Sequence, residues 1–278
     1  MSTLAERYPT ALVTGASAGL GRAFTDMLLG EGVRVWGTAR DPARLPARPG
    51  FAPVALDLAD PAAVESAFRT ADTAAGGLAL VINNAGYGLF GPFAERDFAD
   101  WRKQCEAMLT QALQLSHLAL RGMQTRHCGA LVNVSSLAVE FPLPFMSGYN
   151  TVKAGLSAFS ESLMVEVAGT DVIVIDFRPG DHRTGFNQTM HATSGVSSST
   201  DPALGSRLQR AWSVLEANLR TAPAPERAAA DLRRALRRGR SGTVRSGTFF
   251  QAKLAPLLAR LAPPGLRRAF LARYLGSY

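Results

Sequence analysis

The stretch Thr14-Gly15-Ala16-Ser17-Ala18-Gly19-Leu20-Gly21 decides the fold of this 278-residue chain. It follows the apolar run Ala11-Thr14 and leads directly into a helical pattern over Leu20-Gly30. Glycines at a strand-to-helix turn permit a tight bend and a close approach of backbone to ligand. The helix that follows directs free N–H groups and its positive dipole end at whatever sits before it, an arrangement suited to a pyrophosphate. Gly15, Ser17, Gly19, Leu20 and Gly21 are therefore the first candidate ligand-binding residues.

Working outward, short apolar runs alternate with longer helical stretches from Thr10 to Val174. The runs Ala11-Thr14, Val33-Thr38, Ala52-Leu56, Leu80-Asn83, Ala130-Val134 and Val172-Phe177 are short and continuously apolar, as strands buried on both faces are. Helices are predicted over Leu20-Gly30, Pro61-Ala75, Asp97-Arg126 and Tyr149-Val167, with Asp60 before Pro61 forming an N-cap and N1 pair. Strands alternating with helices imply an α/β fold, a Rossmann-type doubly wound parallel sheet. After Pro179 the pattern loosens. The polar segment Gly195 to Asp201 reads as a lid-like loop, and helical character returns over Leu204-Arg220, Pro225-Arg238, Phe249-Leu261 and Leu266-Leu275. The expected organisation is a single catalytic domain over residues 8–247, with a substrate loop at about 181–222, and a basic amphipathic C-terminal helical extension over 248–278.

Composition limits the functions available. Cys105 and Cys128 are the only cysteines, too few for a disulfide framework and without metal-ligand spacing, so no metal is expected and a reducing cytoplasm is the predicted setting. No apolar run approaches the length needed to cross a bilayer. The net charge of +8 is uneven: residues 1–200 hold 15 basic and 18 acidic side chains, residues 201–278 hold 15 and 4. With Phe249, Leu254, Leu258 and Phe270 apolar and Arg260, Arg267 and Arg268 basic, the terminal helices are candidates for peripheral contact with anionic membrane. Packing on the catalytic domain or a partner subunit is the alternative. No recognition motif accompanies the charge, so nucleic-acid binding is not expected.

Ser136, Tyr149 thirteen positions later and Lys153 four further on carry the chemistry. On a helix, Tyr149 and Lys153 lie one turn apart on the same face, so the ammonium is expected to draw the phenol pKa down toward the range of a working general acid. Such a trio holds, polarises and protonates a carbonyl oxygen.

With the glycine loop these motifs resemble the short-chain dehydrogenase/reductase family over residues 10–190. Thr14 to Gly21 matches its T-G-x-x-x-G-x-G loop, and Asn83-Asn84-Ala85-Gly86, Ser136, Tyr149-x-x-x-Lys153 and Pro179-Gly180 follow in family order. The resemblance implies a nicotinamide cofactor held by the loop together with Asn84, Ala85, Gly86, Tyr149, Lys153, Pro179 and Gly180, with Asp57 at the adenine and Thr184 at the nicotinamide carboxamide. Ala39 stands where NAD-preferring members commonly carry aspartate, and the Arg40 guanidinium suits a 2′-phosphate, so NADP(H) is the expected cofactor. The implied activity is a carbonyl reductase or alcohol dehydrogenase, with hydride delivered to a carbonyl carbon while Tyr149 protonates the oxygen, Ser136 hydrogen-bonds to it and Lys153 binds the ribose. Ser135 is the less suited neighbour by spacing. Met108 departs from the pattern, standing where the family usually has an asparagine associated with a proton-relay water. The family also implies a homodimer or homotetramer.

The loop before Tyr149 reads Phe141-Pro142-Leu143-Pro144-Phe145-Met146, unusually apolar beside a catalytic site. With Tyr87, Leu89, Phe90, Met108, Phe186 and Met190 it is expected to wall a pocket for an apolar carbonyl or alcohol, lipid-, steroid- or retinoid-like or aromatic. Two alternatives stay open: a 3-oxoacyl-thioester reductase whose basic C-terminus receives an acidic carrier, and a non-catalytic NADP(H)-binding sensor or scaffold. His117 and His127, on or near a long helix, are expected to be structural or exposed, His182 to contribute its backbone, and Asp181 and Arg183 to be loop charges, with Arg183 able to meet an anionic substrate.

Overall fold

A computed structural model describes residues 3–194 and 201–257 and, beyond them, residues 262, 263, 265, 266 and 269. Residues 195–200 of the expected lid lie outside the described residues, as do Leu258, Arg260, Arg267, Arg268 and Phe270 of the expected membrane face.

Strands β1 (Thr10–Val13), β2 (Arg34–Ala39), β3 (Phe51–Ala55), β4 (Leu80–Asn83), β5 (Gly129–Val134), β6 (Val172–Pro179) and β7 (Gly242–Ser246) form one sheet in the order β3-β2-β1-β4-β5-β6-β7. Every pairing is parallel. Chain order reverses between β1 and β4, so the connections at their carboxyl ends diverge to opposite faces and leave a crevice above the sheet.

Alternation along the strands sorts the core into two layers. Ala11, Val13, Val35, Leu80, Ile82, Val132 and Ile175 face helices α2 (Gly19–Gly30) and α9 (Pro225–Arg238), where Phe24 meets Phe177 edge to face at 5.6 Å. Leu12, Trp36, Val81, Leu131 and Val174 face α3 (Pro61–Ala75), α5 (Gln111–Thr125) and α6 (Ser147–Glu166). Strands covered on both faces must be apolar throughout, which is why their sequence runs are continuous.

The structure corrects several expectations. The helix predicted over Asp97-Arg126 is α4 (Phe98–Cys105) and α5 joined by a π-helical turn, Glu106–Thr110, which holds Met108. A short helix α1 (Leu4–Arg7), closed by a Thr3–Glu6 capping box, precedes residue 8 and buries Leu4 in the main core. The edge strand β7 carries Thr243, Val244 and Arg245 in a half-exposed register, without the apolar run that marks its neighbours. Between β6 and α9 the chain forms α7 (Phe186–Ser194) and α8 (Pro202–Thr221), the latter started by an Asp201 N-cap and Pro202. Leu208, Ala211, Trp212 and Leu215 of α8 join Phe90, Met146 and Met190 in a third apolar cluster above the crevice. Past residue 248, Ala252 and Ala255 are buried while Phe249 is 79% exposed. No helix among the described residues is long and apolar enough to cross a membrane.

Candidate active site

The crevice is a cavity of about 790 Å³ that runs from the β1–α2 turn to the apolar cluster under α8. At the first end Gly15 and Gly19 adopt left-handed backbone, φ +69° and +54°, which L side chains resist. The N-cap of α2 is Ala18, which makes no side-chain capping bond, so the first-turn N–H groups have no capping side chain, and Ala18, Gly19 and Leu20 border the cavity. A cradle of glycine backbone at an uncapped helix start fits a pyrophosphate. Ser17 and Leu20 also border it, whereas Gly21 does not. A Cβ on Gly21 would lie 2.1 Å from the Gly15 carbonyl oxygen, so this glycine is needed for packing of helix against loop, not for ligand contact.

The Asn84-Ala85-Gly86 turn is fastened to the glycine loop through Thr14. The backbone N–H groups of Asn84 and Ala85 both donate to Thr14 Oγ1 at 2.9 Å, and Asn84 Nδ2 donates to the Thr14 carbonyl at 2.9 Å. At the adjacent end stand Arg40 and Asp57, both exposed, with Asp57 Oδ1 accepting from Ala59 N at 3.0 Å. A second guanidinium, Arg44, borders the same end from a 3₁₀ turn after β2. Sequence reading passed over Arg44, although an arginine four residues beyond Arg40 was the available signal. Pro179, Gly180 and Thr184 border the middle of the cavity, and Thr184 reaches toward Gly19, so the loop after β6 closes over the start of α2.

Ser136, Tyr149 and Lys153 all border this cavity. Ser136 sits at the end of β5 as the cap of a 3₁₀ turn, its Oγ accepting from Ala138 N at 3.0 Å. Tyr149 and Lys153 share one face of α6, as their spacing predicts, with Lys153 Nζ 5.7 Å from the tyrosine ring centroid. The expected depression of the tyrosine pKa is absent. Burial pushes Tyr149 up to about 12; hydrogen bonding with Ser136 pulls the other way and the Asp181 charge adds to the rise. Lys153 is itself buried and held down at about 8, with the Asp176 charge opposing that fall. Its ammonium donates to the Val134 carbonyl at 2.7 Å.

Ser135 borders the cavity as well, but its hydroxyl is engaged in donating to Asp176. Asp176 has no exposure and also accepts from Ser157 Oγ and Arg178 Nε, each at 2.7 Å. Arg178 extends the network to Glu140 at 2.9 Å and Glu161 at 2.7 Å.

Met108 is buried, its Sδ 3.3 Å from the Tyr87 N–H that donates to it and its methyl packed where Gly86 lacks a Cβ. The thioether therefore holds the 86–87 turn. Of the expected wall, Tyr87, Met108, Phe141, Met146, Phe186 and Met190 border the cavity. Phe145, Leu89 and Phe90 do not. Phe145 takes a left-handed backbone, φ +61°, that turns its ring onto Phe90 at 5.8 Å, while Leu89 and Phe90 are core residues. His117 and His127 are exposed and away from the cavity. His182 is buried at its edge, Nδ1 3.1 Å from the Gly180 carbonyl and Nε2 3.3 Å from Ser246 Oγ. Asp181, expected as a loop charge, lies on the cavity wall and accepts from Gln251 Nε2 at 2.7 Å. No group of three metal-ligating side chains occurs among the described residues.

Residues 9–195 match the sequence model of the short chain dehydrogenases. A probable NADP-dependent dehydrogenase of Haemophilus influenzae is 33% identical over 177 residues, covering 62% of this chain and 70% of its own. A 3-oxoacyl-[acyl-carrier-protein] reductase of Vibrio cholerae is 30% identical over 186 residues, covering 65% and 76%. Among solved structures, a short-chain dehydrogenase from Streptomyces avermitilis superimposes with a TM-score of 0.78 at 25% identity, over 97% of this chain and 96% of that one.

Proposed function

Since the chain belongs to the short-chain dehydrogenase family, we propose that it is an NADP(H)-dependent oxidoreductase interconverting a carbonyl and an alcohol on an apolar substrate. The observation that carries this reading is the convergence of Ser136, Tyr149 and Lys153 on one cavity with the glycine cradle and two arginines. Thr14 to Leu20 would hold the pyrophosphate, Arg40 and Arg44 the 2′-phosphate, and Lys153 the nicotinamide ribose. Bound in this way, the reduced nicotinamide supplies hydride to the carbonyl carbon. Ser136 donates a hydrogen bond to the carbonyl oxygen and Tyr149 transfers its proton there, so negative charge never accumulates unpartnered in a dry site. A phenol with a pKa near 12 is fully protonated at neutral pH, which suits it to this acid step. Phe186, Met190 and Met146 would surround the transfer with apolar side chains.

The test is NADPH oxidation across a panel of ketones and aldehydes by the natural chain and Tyr149→Phe. Loss of the acid is expected to cut turnover about 10²- to 10⁴-fold with cofactor affinity retained. Equal rates would remove Tyr149 from the reaction, and NADPH binding without turnover of any carbonyl would favour the sensor reading.

A second reading, reduction of a 3-oxoacyl thioester, is supported by the likeness to carrier-protein reductases and by the excess of 15 basic over 4 acidic side chains in residues 201–278. Including 3-oxoacyl thioesters in the panel separates the two.

A further inference from the structure

The segment that follows β6 is fixed unusually firmly for a loop. Gly180 N donates to the Ser246 carbonyl at 2.7 Å, and the buried His182 ring is held between the Gly180 carbonyl and Ser246 Oγ, which in turn donates to Asp231 Oδ2 at 2.7 Å. With both neighbours anchored to β7 and α9, the side chain between them has little freedom. That side chain is Asp181, and it is on the cavity wall.

The cavity that Asp181 borders has more apolar than polar lining, with Phe186, Met190, Met146, Leu215, Leu219 and Phe250 among its walls. Asp181 has no ion pair among the described residues, and Gln251 Nε2 occupies only Oδ2. Arg183, two residues on, is exposed. Burial raises the Asp181 carboxyl pKa, with the Gln251 hydrogen bond and His182 opposing, and the charge is close enough to Tyr149 to raise the phenol pKa. A carboxyl held against apolar walls without a cation is costly unless a donor meets it.

We propose that Asp181 recognises a hydrogen-bond donor, hydroxyl or protonated amine, carried by the substrate beside the carbonyl that Tyr149 protonates. The inference rests on the reductase reading above and narrows it: the substrate is an apolar ketone or aldehyde with an adjacent hydroxyl or amino group. Compounds with a carboxylate or phosphate beside the carbonyl are repelled. A 3-oxoacyl thioester presents only acceptors to Asp181 and is disfavoured by the same contact. Gln251 holds the carboxyl toward the cavity and ties this specificity to the C-terminal segment.

Three matched probes test it: acetophenone, α-hydroxyacetophenone and α-aminoacetophenone, each reduced with NADPH by the natural chain, Asp181→Asn and Asp181→Ala. Because an adjacent hydroxyl also activates a ketone, the diagnostic quantity is the change in the kcat/KM ratio of substituted to plain ketone on substitution. In Asp181→Ala both ratios should fall about 10- to 100-fold, the range of a lost hydrogen bond to a charged group. In Asp181→Asn, which keeps shape and an acceptor, the amino ratio should fall while most of the hydroxyl ratio remains. A loss of the hydroxyl preference alone would mean that a hydroxyl is the donor read. Unchanged ratios in Asp181→Ala would overturn the assignment and leave the reductase reading standing. Calorimetric binding of 1-phenylethanol and 1-phenylethane-1,2-diol to the NADP⁺-loaded protein separates the two failures. If no ketone turns over yet the diol binds more tightly than the alcohol only when Asp181 is present, the reductase reading falls and the donor site stands. If neither turnover nor that preference is seen, both fall.

Discussion

Lys153 Nζ donates to the Val134 carbonyl oxygen at 2.7 Å, so the lysine is tied to the end of β5 while it lies beside the Tyr149 ring. That bond fixes the ammonium at the wall of the cofactor cavity, in a site buried enough to hold its pKa down at about 8. A lysine with a lowered pKa is charged below that value and neutral above it. If the charged form binds the ribose, NADPH affinity, once the 2′-phosphate is dianionic, changes little between pH 7 and 7.5 and weakens above pH 8, approaching tenfold per unit. Fluorescence titration of NADPH across pH 6–9.5 measures this. Lys153→Met should bind more weakly with no break near pH 8, and a flat profile in the natural chain would exclude the lysine from cofactor binding.

Tyr149 leads to the opposite expectation for the two reaction directions. A phenol raised to about 12 is almost all in its acid form at neutral pH, the form that carbonyl reduction needs. Alcohol oxidation needs the phenolate, whose population rises about tenfold per pH unit below the pKa. Initial rates of oxidation should therefore climb from pH 7 to 10 while reduction does not, with bound cofactor setting where the climb levels off. Parallel profiles for the two directions would contradict a raised tyrosine.

Arg40 and Arg44 stand at one end of the cavity, next to Asp57. A guanidinium paired with a dianionic phosphate contributes a charge-assisted hydrogen bond that a ribose hydroxyl cannot match. Arg40→Ala and Arg44→Ala should each weaken NADPH about tenfold, and the double variant about 100-fold, with NADH affected far less. Comparison of the two dissociation constants in each variant is sufficient. Equal losses for both cofactors would place the arginines away from the 2′-phosphate.

Much of this architecture was legible because its causes are local. Strands buried on both faces must be continuous apolar runs, and Leu80–Asn83 and Pro61–Ala75 were bounded by their own sequence. Glycines at positions 15 and 19 announced a turn that other residues resist. What escaped depends on tertiary neighbours. The edge strand Gly242–Ser246 needs no apolar run because it is only half covered. The π-helical turn at Glu106–Thr110 contains neither glycine nor proline to mark it. Phe145 lies among pocket-like residues, yet its backbone turns the ring onto Phe90 and away from the cavity lining. Asp181 is set on the cavity wall by partners far along the chain, its neighbours being held through Ser246 and its own carboxylate meeting Gln251, 70 residues further on. The rise in the Tyr149 pKa, for its part, comes from burial that no i to i+4 spacing records.

Arg178 offers a test of how the floor of the site is held. Its side chain is 8% exposed and satisfies Asp176, which has no exposure and also receives Ser135 and Ser157. Removing the cation leaves a buried carboxylate with two hydroxyl donors and, of its cations, only the Lys153 ammonium, which makes no ion pair with it, a change that typically costs about 3–5 kcal/mol. Arg178→Met should lower the stability measured by urea unfolding by about that amount. Adding Asp176→Asn to the same chain removes the stranded charge while keeping an acceptor for the serines, so the double variant should regain part of the loss. Because Ser135 and Ser136 are adjacent at the end of β5, the single variant should also lower kcat more than it raises KM. A double variant less stable than Arg178→Met would show that Asp176 stabilises the fold without its arginine.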